Sequence, residues 1–175
     1  MSGVGINYDV PVVAQTMTMS CWAAAAASIL SWKSGSVLTE QQVVQQAGAA
    51  YEAAFEANTG LAGTDVASFA TTLGLSAEPP QNWDVDGYAS LLTAHGPLWV
   101  GVVLTYDNVP YRHVRILAGL IGDGTFDGTS AFVLDPDGGR NYQESLTDFA
   151  SELENIARQD LPSGGDLNPQ LIHFP

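Results

Sequence analysis

The chain has 175 residues, 46% of them hydrophobic, which suits one domain with a substantial core and excludes a disordered segment. Five basic residues stand against 19 acidic ones, a formal net charge of −14 that works against nucleic-acid or anionic-membrane partners and leaves a cationic partner open. The single cysteine excludes an intramolecular disulfide, no stretch reaches the roughly 18 apolar residues of a membrane span, and MSGVGINYDV lacks the basic and apolar regions of a secretory signal.

Tyr8 to Ala14 reads as extended chain, with Pro11 suiting an edge. Gln15 to Trp32 follows as QTMTMSCWAAAAASILSW and holds Cys21. Ser20 or Cys21 opens a helix of about three turns, because alanine is the best helix former and no glycine or proline intervenes before Gly35. The unpaired N–H groups and macrodipole at a helix start favour an anion, and the thiolate is the nucleophilic form of cysteine. A lone cysteine in an alanine-rich helix is also an ordinary core residue, so the thiol alone does not decide.

Thr39-Glu40-Gln41-Gln42 has the form of a capping box and starts a second helix with Val43, Val44, Ala47, Ala50, Tyr51, Ala54 and Phe55 at helical spacing. Asn58-Thr59-Gly60 ends it, Thr64 caps a third helix, and Gly74 stops that one. Leu75 to Gln81 crosses as extended chain, and Asn82 to Ala94 forms another helix. Pro97 to Leu104 is a continuous apolar run, the pattern of a strand buried on both faces, and Thr105 to Tyr111 reads as a polar loop. His113 opens a strand to Gly122, and Ser130 to Leu134 is a second strand closed by Asp135. Joined by a Gly- and Asp-rich connection, the two form an antiparallel hairpin that brings His113 and Asp135 to one end of the sheet.

A neutral imidazole can take a thiol proton, and a carboxylate on its other nitrogen fixes tautomer and orientation. Asp135 fits that role, with Asp137 and Asp127 as alternatives. His95, before a Gly-Pro turn, reads as a surface or cap residue, and His173 lies in a last strand, LIHF. One cysteine, three histidines and scattered acids make no metal-ligand spacing, so neither metal nor cofactor is expected. NYQES is a short strand, LTDFASELENIAR an amphipathic helix, Leu161 to Asn168 a loop, and Pro169 to Pro175 an edge strand.

The segment VPVVAQTMTMSCWAAAAASILSW resembles the nucleophile segment of papain-like cysteine peptidases, and is most similar to the small bacterial branch containing secreted plant-pathogen effector proteases. That branch has V-P-x-x-x-Q, a short loop and C-W at a helix start. The resemblance continues through Gly96-Pro97-Leu98-Trp99-Val100, the His113 strand and Leu134-Asp135-Pro136. It implies a single α+β papain-like domain over residues 1–175, with a helical lobe (1–80) packed on an antiparallel sheet lobe (81–175). It also implies a triad of Cys21, His113 and Asp135, with Gln15 donating to the oxyanion, and no cofactor. The implied activity is hydrolysis of a peptide or isopeptide bond in a protein or peptide substrate, in a bacterial effector or toxin. Such a protein would be secreted without a signal peptide or cytoplasmic, would work in a reducing compartment, and could meet an inhibitor or immunity protein. The same triad would serve a deamidase or an acyl or amine transferase. A catalytically silent binding module of this fold is the third reading, against which intact Gln15, Cys21, His113 and Asp135 argue.

Overall fold

Five consecutive alanines leave a helix surface so thin that other backbone can close around it. In the computed structural model of the chain, which describes residues 3–160 and 167–175, α1 (Cys21–Ser34) is buried continuously from Trp22 to Ile29. It is 14 residues long, nearly a turn more than the sequence predicts, and stops at Gly35, whose φ of 70° is left-handed. Two buried serines fasten its surroundings. Ser28 Oγ accepts from the Val13 amide at 2.9 Å, and Ser31 Oγ from the Leu38 amide at 2.8 Å. Each hydroxyl donates to the carbonyl one turn back, Ala24 and Ala27.

The capping box forms at α2 (Glu40–Ala47). The Gln42 amide donates to Thr39 Oγ1, and the Thr39 amide donates to Gln42 Oε1 at 2.9 Å. The second helix is not continuous, however. Gly48, with φ 117°, breaks it into α2 and α3 (Ala49–Glu56). Thr64 is not a cap either; it sits inside a 3₁₀ turn, Gly63–Asp65, that leads into α4 (Val66–Thr72). Asp84 caps α5 (Val85–His95) by accepting from the Gly87 amide at 2.7 Å.

The strands are β1 (Val4–Asn7), β2 (Ser76–Ala77), β3 (Leu98–Tyr106), β4 (Val109–Gly122), β5 (Thr129–Asp135), β6 (Arg140–Ser145) and β7 (Leu171–His173). α6 (Leu146–Asp160) lies between the last two. Among the described residues they make one seven-stranded antiparallel sheet in the order β2-β7-β3-β4-β5-β6, with β1 pairing β4. Two expectations change here. The polar loop over Thr105 to Tyr111 is the tip of a hairpin, turning at Asp107 and Asn108 with φ of 48° and 63°. The C-terminal strand is no edge: β7 lies between β2 and β3, because Ile172 pairs both Ala77 and Trp99. Of the loop expected over Leu161 to Asn168, positions 161–166 lie outside the described residues.

Alternation along the strands feeds two cores. Trp99, Val114, Ile116 and Leu134 pack with Trp22, Ile29, Val43 and Phe69 of the N-terminal helices. Leu98, Val100, Leu117 and Val133 pack with Tyr88, Leu92, Phe149 and Leu153 of α5 and α6. The sheet is therefore covered on both faces, and Leu146, Phe149, Leu153 and Ile156 form the buried stripe expected of α6. The site lies where the start of α1 meets the part of β4 that runs on past the end of β5.

Candidate active site

Cys21 is the first residue of α1 and only half-buried. At that position a backbone N–H has no intrahelical acceptor. Ser20 precedes it but makes no side-chain cap bond; its hydroxyl donates instead to Glu40 Oε1 at 2.6 Å. Behind the nucleophile, the Trp99 indole N–H donates to the Trp22 carbonyl at 3.0 Å and ties the first turn of α1 to β3.

His113 does not open its strand; it is the fifth residue of β4, because the hairpin begins at Val109. The register places Ile116 opposite Leu134, so β5 ends at Asp135 while β4 continues beneath it. His113 Nε2 and Asp135 Oδ1 are 2.7 Å apart. That contact leaves Nδ1 unused by the carboxylate, and His113 and Cys21 line one cleft. The Asp137 amide donates to Asp135 Oδ1 and the Arg140 guanidinium to Oδ2, both at 2.9 Å. Burial alone would raise the Asp135 pKa, but the bonds from His113, the Asp137 amide and the Arg140 charge hold it below the ordinary value. For His113, burial pushes the pKa down, and the bond to Asp135 together with the neighbouring Cys21 outweighs it, raising the pKa to about 9. The imidazole is therefore charged at neutral pH.

Neither alternative carboxylate reaches the ring. Asp137 is 65% exposed and faces Arg140 at 3.3 Å, and Asp127 accepts from Thr147 at the other end of the β4–β5 hairpin. His95 is half-buried and ends α5, with Gly96 rather than His95 at the cap position. Its ring lies 4.0 Å from that of His173, whose Nε2 is 2.8 Å from Glu78 Oε1, and both histidines lie outside the cleft.

Gln15 lines the same cleft as Cys21 and His113. Its amide donates to the Pro136 carbonyl at 2.9 Å, which joins the loop before the helix to the loop after Asp135. Its side-chain Nε2 donates to the Met17 and Thr18 carbonyls at 2.9 and 3.2 Å, and its Oε1 is buried without a partner. The cleft has a volume of about 600 Å³ and largely apolar walls that include Met19, Leu61, Trp99, Tyr106 and Tyr111. Among the described residues, no group of three or more His, Cys, Asp or Glu is arranged to hold a metal ion. No helix among them is long and apolar enough to cross a membrane.

The family model described as papain-like cysteine protease AvrRpt2 matches residues 4–154. The chain belongs to that family. As a papain-like cysteine protease it also shares its fold with a double glycine motif protease from an AMS/PCAT transporter, solved in complex with the leader peptide. That match covers 99% of this chain and 96% of the other, at 18% identity and a TM-score of 0.53. The Pseudomonas avirulence protein AvrPphB is 12% identical over 89% of each chain, with a TM-score of 0.32. No curated protein matches.

Two residues of this papain-like site escape sequence reasoning. Glu40 reads only as part of the capping box at Thr39, and Arg140 carries no local signal. Each reaches the site by a contact that no periodicity signals.

Proposed function

We propose that this protease cleaves a peptide or isopeptide bond with Cys21 as nucleophile and His113 as general acid and base. Asp135 orients the imidazole, and Gln15 and the Cys21 N–H hold the oxyanion. The observation that carries the reading is the 2.7 Å contact between His113 Nε2 and Asp135 Oδ1, with His113 lining the same open cleft as Cys21 and Gln15. The thiolate attacks the scissile carbonyl, and the carbonyl oxygen becomes an anion facing the start of α1. Gln15 Nε2 exchanges its longer contact, to the Thr18 carbonyl, for that oxyanion. Charged His113 protonates the departing amine, leaving a thioester on Cys21. Neutral His113 then takes a proton from water, and the hydroxide attacks the thioester, releasing the acid and restoring the thiolate beside charged His113.

An extended peptide suits a cleft of this size and apolarity, and the similar transporter protease was solved with a leader peptide. The likeness of the Gln15 to Trp32 segment to effector proteases supports a bacterial effector or toxin acting in the reducing interior of another cell.

Two measurements test this. Mixed with p-nitrophenyl acetate, the wild type should release a burst of one nitrophenolate per chain as Cys21 is acylated, and Cys21→Ala should release none. A burst in Cys21→Ala would sink the mechanism. On a proteome-derived peptide library, mass spectrometry should then find split chains. A gain of about one dalton without cleavage would mark a deamidase, and addition of an amine a transferase. No burst and no product would mark a silent module.

A further inference from the structure

Glu40 is 3% exposed, and the chemistry above makes no use of it. It begins α2, but Thr39 and Gln42 already cap that helix. The Glu40 carboxylate instead reaches the loop between Gln15 and Cys21. Oε2 accepts from the Thr16 amide at 3.0 Å and from the Thr16 hydroxyl, and Oε1 accepts from the Ser20 hydroxyl at 2.6 Å. A carboxylate this buried is tolerated only when well hydrogen-bonded, and these three donors satisfy it.

The placement of those donors is specific. One carboxylate oxygen grips the residue after Gln15, and the other grips the residue before Cys21. The two proposed oxyanion donors, Gln15 Nε2 and the Cys21 N–H, flank the gripped residues. The five residues between them belong to no helix or strand, so their backbone does not fix that separation by itself. Oxyanion donors are effective only when already held where charge will develop.

We infer that Glu40 is a positioning residue for the oxyanion site, clamping the Gln15–Cys21 loop from α2. The inference rests on the oxyanion roles proposed for Gln15 and the Cys21 N–H. It separates oxyanion formation from thiolate formation, because His113 and Asp135 are anchored on β4 and β5 and their hydrogen bonds go to each other, the Asp137 amide and Arg140 rather than to Thr16 or Ser20.

The test compares two reactions of Cys21. Acylation by p-nitrophenyl acetate forms an oxyanion; alkylation by iodoacetamide is a direct displacement at carbon and forms none. Glu40→Gln keeps the shape but turns an NH₂ toward Thr16 or Ser20. It should lower acylation by about tenfold or more, in kcat rather than KM. Alkylation and its pH profile should stay within about twofold of wild type. Thr16→Val, on an exposed loop residue that cannot unfold the core, should shift acylation in the same direction by a smaller factor. In a Gln15→Ala background, Glu40→Gln should cost a smaller factor than it does in wild type, because one of the two donors it positions is already gone. Unchanged acylation in both Glu40→Gln and Thr16→Val overturns the inference. So does alkylation falling in step with acylation, or losses that multiply in the double variant. Gln15→Ala alone tests the underlying reading: if it acylates like wild type, Gln15 holds no oxyanion and the inference falls with that role.

Discussion

An imidazole as buried as His113 would ordinarily give up its proton early, and here two partners reverse that. A histidine in the unfolded chain titrates near the reference value of about 6.5. In the fold His113 titrates near 9. The folded state thus holds an extra proton between those values. Its stabilisation is complete below about 6.5 and disappears as pH rises through about 9. Thermal denaturation should show Tm falling across that window, and His113→Gln should flatten the slope; equal slopes would contradict the ion pair. Asp135 contributes with the opposite sign. Its depressed pKa gives stability that is present above the ordinary carboxylate value and lost as pH falls through the folded one. Asp135→Asn keeps the shape and removes the charge, so the alkaline limb of Cys21 alkylation should move from near 9 toward about 6.5.

Elements fix where such residues stand, and two glycines in the β1–β4 pairing differ sharply in what they permit. A Cβ on Gly119 would lie 2.1 Å from the Ile6 carbonyl, whereas one on Gly5 meets nothing within 4 Å. Gly119→Ala must push β1 off β4 and should cost about 3 kcal/mol, while Gly5→Ala should change stability by less than about 1 kcal/mol. Urea midpoints check both, and equal midpoints would mean that β1 does not pack where the structure puts it. The same contrast shows what the sequence made legible. α1, the capping box at Thr39 and the α6 stripe follow from local spacing, so they read directly. Cys21, His113 and Asp135 read because a helix start and a hairpin carry them. The ribbon tip from Thr105 to Tyr111 reads as a loop, because Tyr106 and Val109 are exposed on it and no core imposes alternation. The split at Gly48 turns on one φ value, and Arg115, buried against Glu144, Glu152 and Tyr142, is a long-range contact with no local signature.

At the scale of the whole molecule, charge becomes a property of the surface. Of the five cations, Arg115 is buried with two glutamates and Arg140 faces Asp135 and Asp137. Five cations cannot neutralise 19 acidic residues, and a formal net charge of −14 remains. Repulsion among the acidic groups opposes the compact state and weakens as salt shortens the Debye length from about 30 Å at 0.01 M to about 8 Å at 0.15 M. Tm should rise over that interval. The same field acts on whatever approaches the cleft. Two peptides sharing one cleavable core, flanked by lysines in one and glutamates in the other, should differ in kcat/KM at 0.01 M salt in favour of lysine. The difference should shrink by about tenfold or more at 0.5 M, because steering acts on association through screened charge. If the preference persists unchanged in high salt, it comes from short-range contacts such as Asp137 on the cleft wall, and the net charge of −14 serves the surface alone.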